Sequence, residues 1–265
     1  MHPLLFETGH RPWPVPRRPW IGRQSWRDLL FAHYRIPAAA LRPHVPAPLR
    51  LQERDGTSWI GVVPFRMTGV MARGLPDLPG LSAFPELNVR LYVEHGDRPG
   101  VWFLSLDATN PVAVWTARHF FNLPYRRARI VTSRVPPGGE DGHYDFSSRL
   151  ASGPVAARFA ARYRPTTPPR QAGPGTLEHF LTERYCLYAM DRSGNLHRTE
   201  VHHRPWPLQT AEADVDATDL MASHGIDIVG APALLHFAKH IDVLTWAPQL
   251  VARNKVDPLP RDVWA

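Results

Sequence analysis

Proline and glycine punctuate this chain from end to end. Its 265 residues include 29 prolines and 18 glycines, spread almost evenly. A proline inside a helix removes a backbone hydrogen bond and clashes with the preceding turn, so such spacing leaves no room for long helices. The expectation is a mainly β (α+β) chain of many short strands, mostly antiparallel, with short helices on its flanks. No linker is long enough to divide residues 23–265, which read as a single domain. Residues 1–22, rich in proline and arginine, read as an extended arm over that domain.

Apolar residues make up 43% and charged residues 21%, which excludes wholesale disorder. One cysteine, Cys186, excludes an internal disulfide and every zinc or iron–sulfur motif built on cysteine pairs. No apolar run approaches the roughly 18 residues of a membrane span, and the N-terminus lacks a signal-peptide core. A cytoplasmic protein without membrane contact is expected. The net charge of +7 and a pI near 10.1 invite a nucleic-acid reading. Of the 31 cationic residues, however, only Lys239 and Lys255 are lysines, and the arginines occur singly or in pairs. Scattered charge of this kind gives non-specific attraction more readily than a site.

Periodicity places the elements. Residues 26–34 (WRDLLFAHY) have helical spacing with Ser25 as N-cap, and residues 37–41 read as a second short helix. The period then changes to two, giving strands over 57–66, 86–94 and 101–107. Residues 112–121 read as a helix with Trp115, Phe120 and Phe121 on its apolar face. Strands follow over 127–134, 143–148 and 155–163, then a short helix over 176–181. Three more strands are expected over 184–190, 196–202 and 234–245.

Alternate residues of a strand face opposite sides, so ELNVRLYVE at 86–94 puts Leu87, Val89, Leu91 and Val93 on one face. Glu86, Asn88, Arg90 and Tyr92 take the other. Such a face either lines an internal cavity, offering an acid and a bidentate cation to a carboxylate ligand, or is an exposed surface with an ion pair. The turn signal at 192–195 pairs the strands around it and brings Glu183 and Tyr185 toward His202 and His203. A histidine within reach of a glutamate suits acid–base chemistry; a structural polar cluster at a strand end is the alternative. His236 and His240 are four apart but have no third ligand nearby, so no metal site is assigned. Dinucleotide, P-loop and serine-hydrolase motifs are missing, and no cofactor is expected. Cys186 reads as a buried structural thiol.

Six segments in order carry a family resemblance: LLFAHYRIP (29–37), WIGVVPFRM (59–67), GLPDLPGLSAFPELNVR (74–90), VWFLSLDA (101–108), LEHFLTERYCLYA (177–189) and HHRPWPLQ (202–209). Together they resemble the YqjF-like family, DUF2071, an uncharacterised bacterial group similar in pattern to the acetoacetate decarboxylase-like superfamily. The resemblance implies a cone-shaped antiparallel β-barrel with a central cavity, and it places Glu86 at the superfamily's active-site glutamate. True acetoacetate decarboxylases form an imine on a lysine that follows an aromatic–proline step. The matching place here is Leu123-Pro124-Tyr125-Arg126-Arg127, and a guanidinium stays protonated and forms no imine.

The first-ranked reading is an enzyme, lyase-like or isomerase-like, acting on a small anionic keto or hydroxy acid without a Schiff-base lysine. Glu86, Arg126, Arg127, His203 and Tyr185 are its expected catalytic residues, with Glu86 as base. Asn88, Arg90, Tyr125, Glu183, His202 and Trp206 are its expected ligand contacts. A non-catalytic binder of the same fold ranks second and a non-specific nucleic-acid binder third. A small anionic molecule is the expected partner, with homo-oligomerisation left open.

Overall fold

The computed structural model describes residues 2–77, 82–135, 142–151 and 157–254. Among these, fourteen strands join one connected sheet. In chain order they begin with β1 (Gly22–Ile36), the short β2 (Arg50–Leu51) and β3 (Glu53–Arg54), β4 (Thr57–Ala72) and β5 (Phe84–His95). Next come β6 (Arg98–Ala108), β7 (Tyr125–Val135), β8 (His143–Leu150) and β9 (Arg158–Pro165). The last are β10 (Cys186–Met190), β11 (Leu196–His202), β12 (Leu208–Asp216), β13 (Leu234–Thr245) and β14 (Gln249–Ala252). The α-helices are short: α1 (Ala38–Leu41), α2 (Pro111–Phe120), α3 (Leu177–Thr182) and α4 (Thr218–Ala222). Among the described residues no helix is long and apolar enough to cross a membrane.

Pairing runs β6-β7-β8-β9-β12-β13-β1-β4-β5, and β5 pairs back onto β6, which closes a ring of strands. β10 pairs with β6, and β11 with β13, giving a second route between the same two strands. Most pairs are antiparallel; β6 runs parallel to both β7 and β10.

The wall β13-β1-β4-β5 is covered on both faces. Leu30, Ile60, Val89 and Leu91 belong to one core cluster with Phe146, Phe159 and Tyr163. Their strand neighbours Phe31, Trp59 and Tyr92 belong to another with Leu181, Val201, Trp206 and Val243. Each fully buried side chain of this size contributes about 1.5–3 kcal/mol relative to exposure.

The structure corrects the helix expected over 26–34, which lies within β1. Asp28 there adopts a left-handed φ of 55°, and the pairing with β4 slips between Arg27 and Ala32. One extra residue in the strand is a bulge, and it resets the alternation. A strand buried on both faces and interrupted this way shows helix-like spacing. The helix expected over 112–121 is α2, capped by Asn110 Oδ1, which accepts from the Val112 and Ala113 amides at 2.9 and 3.2 Å. Its Trp115 and Phe120 are exposed, and only Val114 is buried. β12 and α4 occur where no element was expected. The expected strand over 155–163 starts outside the described residues and is observed as β9.

Candidate functional site

The polar face of β5 is buried. Glu86 is 1% exposed, and its Oε2 accepts from the Tyr125 hydroxyl at 2.7 Å. Tyr125 arrives there because the start of β7 runs beside Leu106 of β6, while Glu86 on β5 pairs with Ala108 of β6. Burial pushes the Glu86 carboxyl up to about 8, against the opposing hydrogen bond from Tyr125 and with help from the charge of Asp107. Burial and the neighbouring glutamate likewise hold the Tyr125 phenol well above its ordinary value. At neutral pH Glu86 is therefore a protonated acid. Desolvation disfavours the carboxylate, and a carboxyl that titrates this close to neutrality is suited both to give and to take a proton.

Two residues along, Asn88 hydrogen-bonds Glu86, and its Oδ1 has no partner among the described residues. Arg90 follows. Its Nε donates to Tyr92 Oη at 3.3 Å and its Nη2 to the Leu181 carbonyl at 3.0 Å. The guanidinium lies over the Phe31 ring, 5.2 Å from its centroid. Gly61 of β4, paired with Arg90, makes room for this: a Cβ there would sit 2.9 Å from Tyr92 Oη. The buried His33 of β1 meets the same hydroxyl through Nε2 at 2.6 Å. Burial, with the positive Arg90 nearby, holds its imidazole well below its ordinary value. Arg184 closes the group, its guanidinium 4.4 Å from the Phe180 ring centroid and 5.2 Å from that of Tyr92. Burial pushes Arg184 down to about 10.

The two arginines at the lysine-equivalent positions sit differently. Arg126 grips the buried Asp107 in a two-pronged bond of 2.6 and 3.0 Å, and Arg127 is exposed. Neither bonds the Glu86–Tyr125 pair. Lys239 lies on the outside, 47% exposed in its side chain, bonded to Asp28 and to Tyr144. Lys255 is outside the described residues.

Glu183, Tyr185, His203 and Trp206 form a neighbouring cluster. Glu183 accepts from the Tyr185 hydroxyl and, at 2.8 Å, from the Trp206 amide. His203 stacks on Tyr185 at 4.7 Å, and its ring nitrogens meet the Arg204 and Arg184 carbonyls at 2.7 and 3.3 Å, with no bond to Glu183. Trp206 joins this cluster to the β5 face, with its ring edge-on to Phe31 at 4.9 Å. His202 instead meets the stretch before β1, through Leu4 O at 2.8 Å and a stacked His10. Burial pushes it down to about 4. Cys186 is buried and its thiol pushed up to about 12, which leaves it inert. His236 pairs with Phe31 across β13 and β1, while His240 lies beside Asp242 at 3.3 Å. Among the described residues no three metal-ligating side chains converge.

Several buried polar atoms near Phe31 and Tyr92 have no partner among the described residues: His33 Nδ1, His236 Nδ1, Trp206 Nε1 and an Arg184 nitrogen. Buried polar groups are almost always satisfied, by protein, by ordered water or by a bound molecule. Two grooves of about 710 and 340 Å³ lie elsewhere, along β7, β8, β9 and β12, and are lined by none of these residues. His33 and Arg184 were missed in the sequence although both fall inside quoted segments; the bulged strand hid the first, and Glu183 and Tyr185 drew attention from the second.

The sequence model of the DUF2071 family, described as an uncharacterized conserved protein, matches residues 23–242. The chain is 42% identical over 232 residues to the uncharacterized protein YqjF of Bacillus subtilis (strain 168), covering 88% of this chain and 93% of that one. Among solved structures it is similar to the enduracididine biosynthesis enzyme MppR complexed with the condensation product of pyruvate and imidazole 4-carboxaldehyde. That match has a TM-score of 0.64 and 15% identity over 89% of this chain and 90% of the other. It is also similar to the acetoacetate decarboxylase of Legionella pneumophila, with a TM-score of 0.62 and 14% identity over 96% and 97% of the two chains. At these identities the likeness concerns the fold, which is acetoacetate decarboxylase-like.

Proposed function

Since this chain belongs to the DUF2071 family of uncharacterized conserved proteins and carries an acetoacetate decarboxylase-like fold, we propose that it binds a small anionic keto or hydroxy acid on the polar face of β5 and moves a proton on it with Glu86. The observation that carries this reading is the buried Glu86–Tyr125 pair. A carboxylic acid kept protonated near neutral pH, with a phenol fixing its orientation, is placed to give its proton to an oxygen where negative charge develops. As it does so a solvent water takes the proton from the carbon next to the carbonyl, leaving the enol. Return of a solvent proton to that carbon and of the oxygen's proton to Glu86 restores the keto acid, and such catalysis is worth about 10²–10⁴-fold. Arg90 supplies the fixed cation that holds the acid group. Arg126 orders Asp107 beside the pair, and Tyr185 and His203 brace Trp206 from behind. That a structural relative is complexed with a condensation product of pyruvate supports 2-oxo acids as first probes.

The test is hydrogen–deuterium exchange at the carbon next to the carbonyl of pyruvate and longer 2-oxo acids in heavy water, followed by proton NMR. The parent chain is expected to exchange these protons. Glu86→Gln is expected to slow exchange about a hundredfold while melting within a few degrees of the parent. Undiminished exchange in Glu86→Gln overturns the reading. A bound acid recovered unchanged and unexchanged assigns the site to binding alone.

A further inference from the structure

The direction of one short hydrogen-bond chain decides what the other end of this site presents. Arginine only donates, so the 3.3 Å contact from Arg90 Nε makes Tyr92 Oη an acceptor. Tyr92 is fully buried, and its hydroxyl has one acceptor among the described residues, His33 Nε2 at 2.6 Å. Placing the phenol proton on that line satisfies it, whereas the other tautomer leaves it without an acceptor, and the proton is assigned there on that ground. An imidazole accepting at Nε2 while neutral carries its own hydrogen on Nδ1. His33 Nδ1 is buried and has no partner among the described residues. It is thus an N–H donor with nothing to donate to.

Trp206 Nε1 is a second such donor, on a side chain 1% exposed whose ring packs against Phe31 at 4.9 Å. His33 stacks on the same Phe31 at 6.1 Å, and Arg90 lies over it at 5.2 Å. The surroundings of Phe31 are rich in donors. The opposite holds two residues back along β5, where Asn88 Oδ1 is an acceptor without a partner beside the protonated Glu86. Two residues of a strand span about 6.6 Å, the length of a short acid chain.

We infer that His33 Nδ1–H and the Trp206 indole, beside Arg90, form the carboxylate-binding subsite of this protein, with the ligand's hydroxyl or enol end turned toward Asn88 and Glu86. This rests on the small-acid reading above and assigns the acid group to a histidine–tryptophan–arginine end of the face, away from Arg126 and Arg127. The neutral imidazole adds a directed donor without a further positive charge to desolvate, which suits a site already holding the buried guanidiniums of Arg90 and Arg184.

The full chain carrying isotope-labelled histidine is to be studied by two-bond proton–nitrogen correlation, which reads each tautomer directly. At neutral pH His33 is expected to be protonated on Nδ1 and bare on Nε2. Pyruvate is expected to move the Nδ1 proton, while pyruvamide at the same concentration leaves it in place. Pyruvate affinity, followed through tryptophan emission, is expected to fall about tenfold in His33→Phe, as for one lost hydrogen bond to a charged group. His33→Asn, which keeps an N–H near the Nδ1 position, is expected to restore most of it. An Nε2-protonated His33, an Nδ1 proton indifferent to carboxylates, or full affinity in His33→Phe overturns the inference. Silence at His33 with proton exchange intact overturns this subsite alone. A responding His33 in a chain that exchanges no substrate protons overturns the catalytic role of Glu86 alone.

Discussion

Glu86 has given up water for two neutral neighbours, and that exchange leaves a mark on stability as well as chemistry. Its carboxyl titrates near 8 in the folded chain, raised from an ordinary 4.5. Between those values the folded state holds a proton that the unfolded state releases. Its stabilising effect is thus complete below about 4.5 and is lost as pH rises through 8. His202 works with the opposite sign. Lowered from 6.5 to about 4, it makes the unfolded chain the better proton acceptor in that window, so stability rises with pH across it. Denaturant titrations at a series of pH values should show both limbs, and Glu86→Gln should flatten the falling one. A falling limb that survives in Glu86→Gln would locate the titrating acid elsewhere.

At the level of elements, β4 and β5 meet where Gly61 faces Arg90. Adding one methyl there would press on Tyr92 Oη at 2.9 Å and on Arg90 Cγ at 3.3 Å. Gly61→Ala is expected to cost about 1–3 kcal/mol through overpacking and to displace the Tyr92–His33 contact. Calorimetry and the His33 nitrogen shifts read the two effects, and an alanine that changes neither would mean the wall yields freely. β5 itself was legible in the sequence because its two faces differ in chemistry, and Glu86, Asn88 and Arg90 stood out together. The ion pair offered as the alternative does not form, since Arg90 bonds Tyr92 and Leu181 instead. β1 was illegible because the bulge at Asp28 breaks the alternation that identifies a strand, and His33 was lost with it. β12 carried a readable signal, with Ala211, Ala213 and Val215 toward the core and Glu212, Asp214 and Asp216 away from it. Its alanines gave too little contrast to stand out. Tyr125 and Glu86 come together only through the parallel pairing of β6 and β7, which no local pattern encodes.

Over the whole molecule, the stretch before β1 is bound to the sheet by buried charge. Arg11 donates to Glu200 at 3.1 Å and to the Val201 carbonyl at 2.6 Å, and Trp13 Nε1 reaches the same carboxylate at 2.8 Å. Removing one member of a buried pair leaves the other charge stranded. Glu200 would keep Arg198 at 3.1 Å, so Arg11→Ala is expected at the low end of that cost, about 3 kcal/mol or roughly 5–10 °C in Tm. Scanning calorimetry checks it, and an unchanged Tm would mean the stretch contributes nothing to the fold. The closure of the strand ring has a different consequence, one of timing. β1 pairs with β13 from Gly22 with Thr245 to His33 with Leu234, so its partners lie about two hundred positions later in the chain. Contacts this distant are slow to form, and during synthesis from the N-terminus β1 must wait with one edge open until β13 has been made. β1 is thus made long before it can be fully enclosed, and the nascent chain is most exposed to edge-to-edge association in that interval.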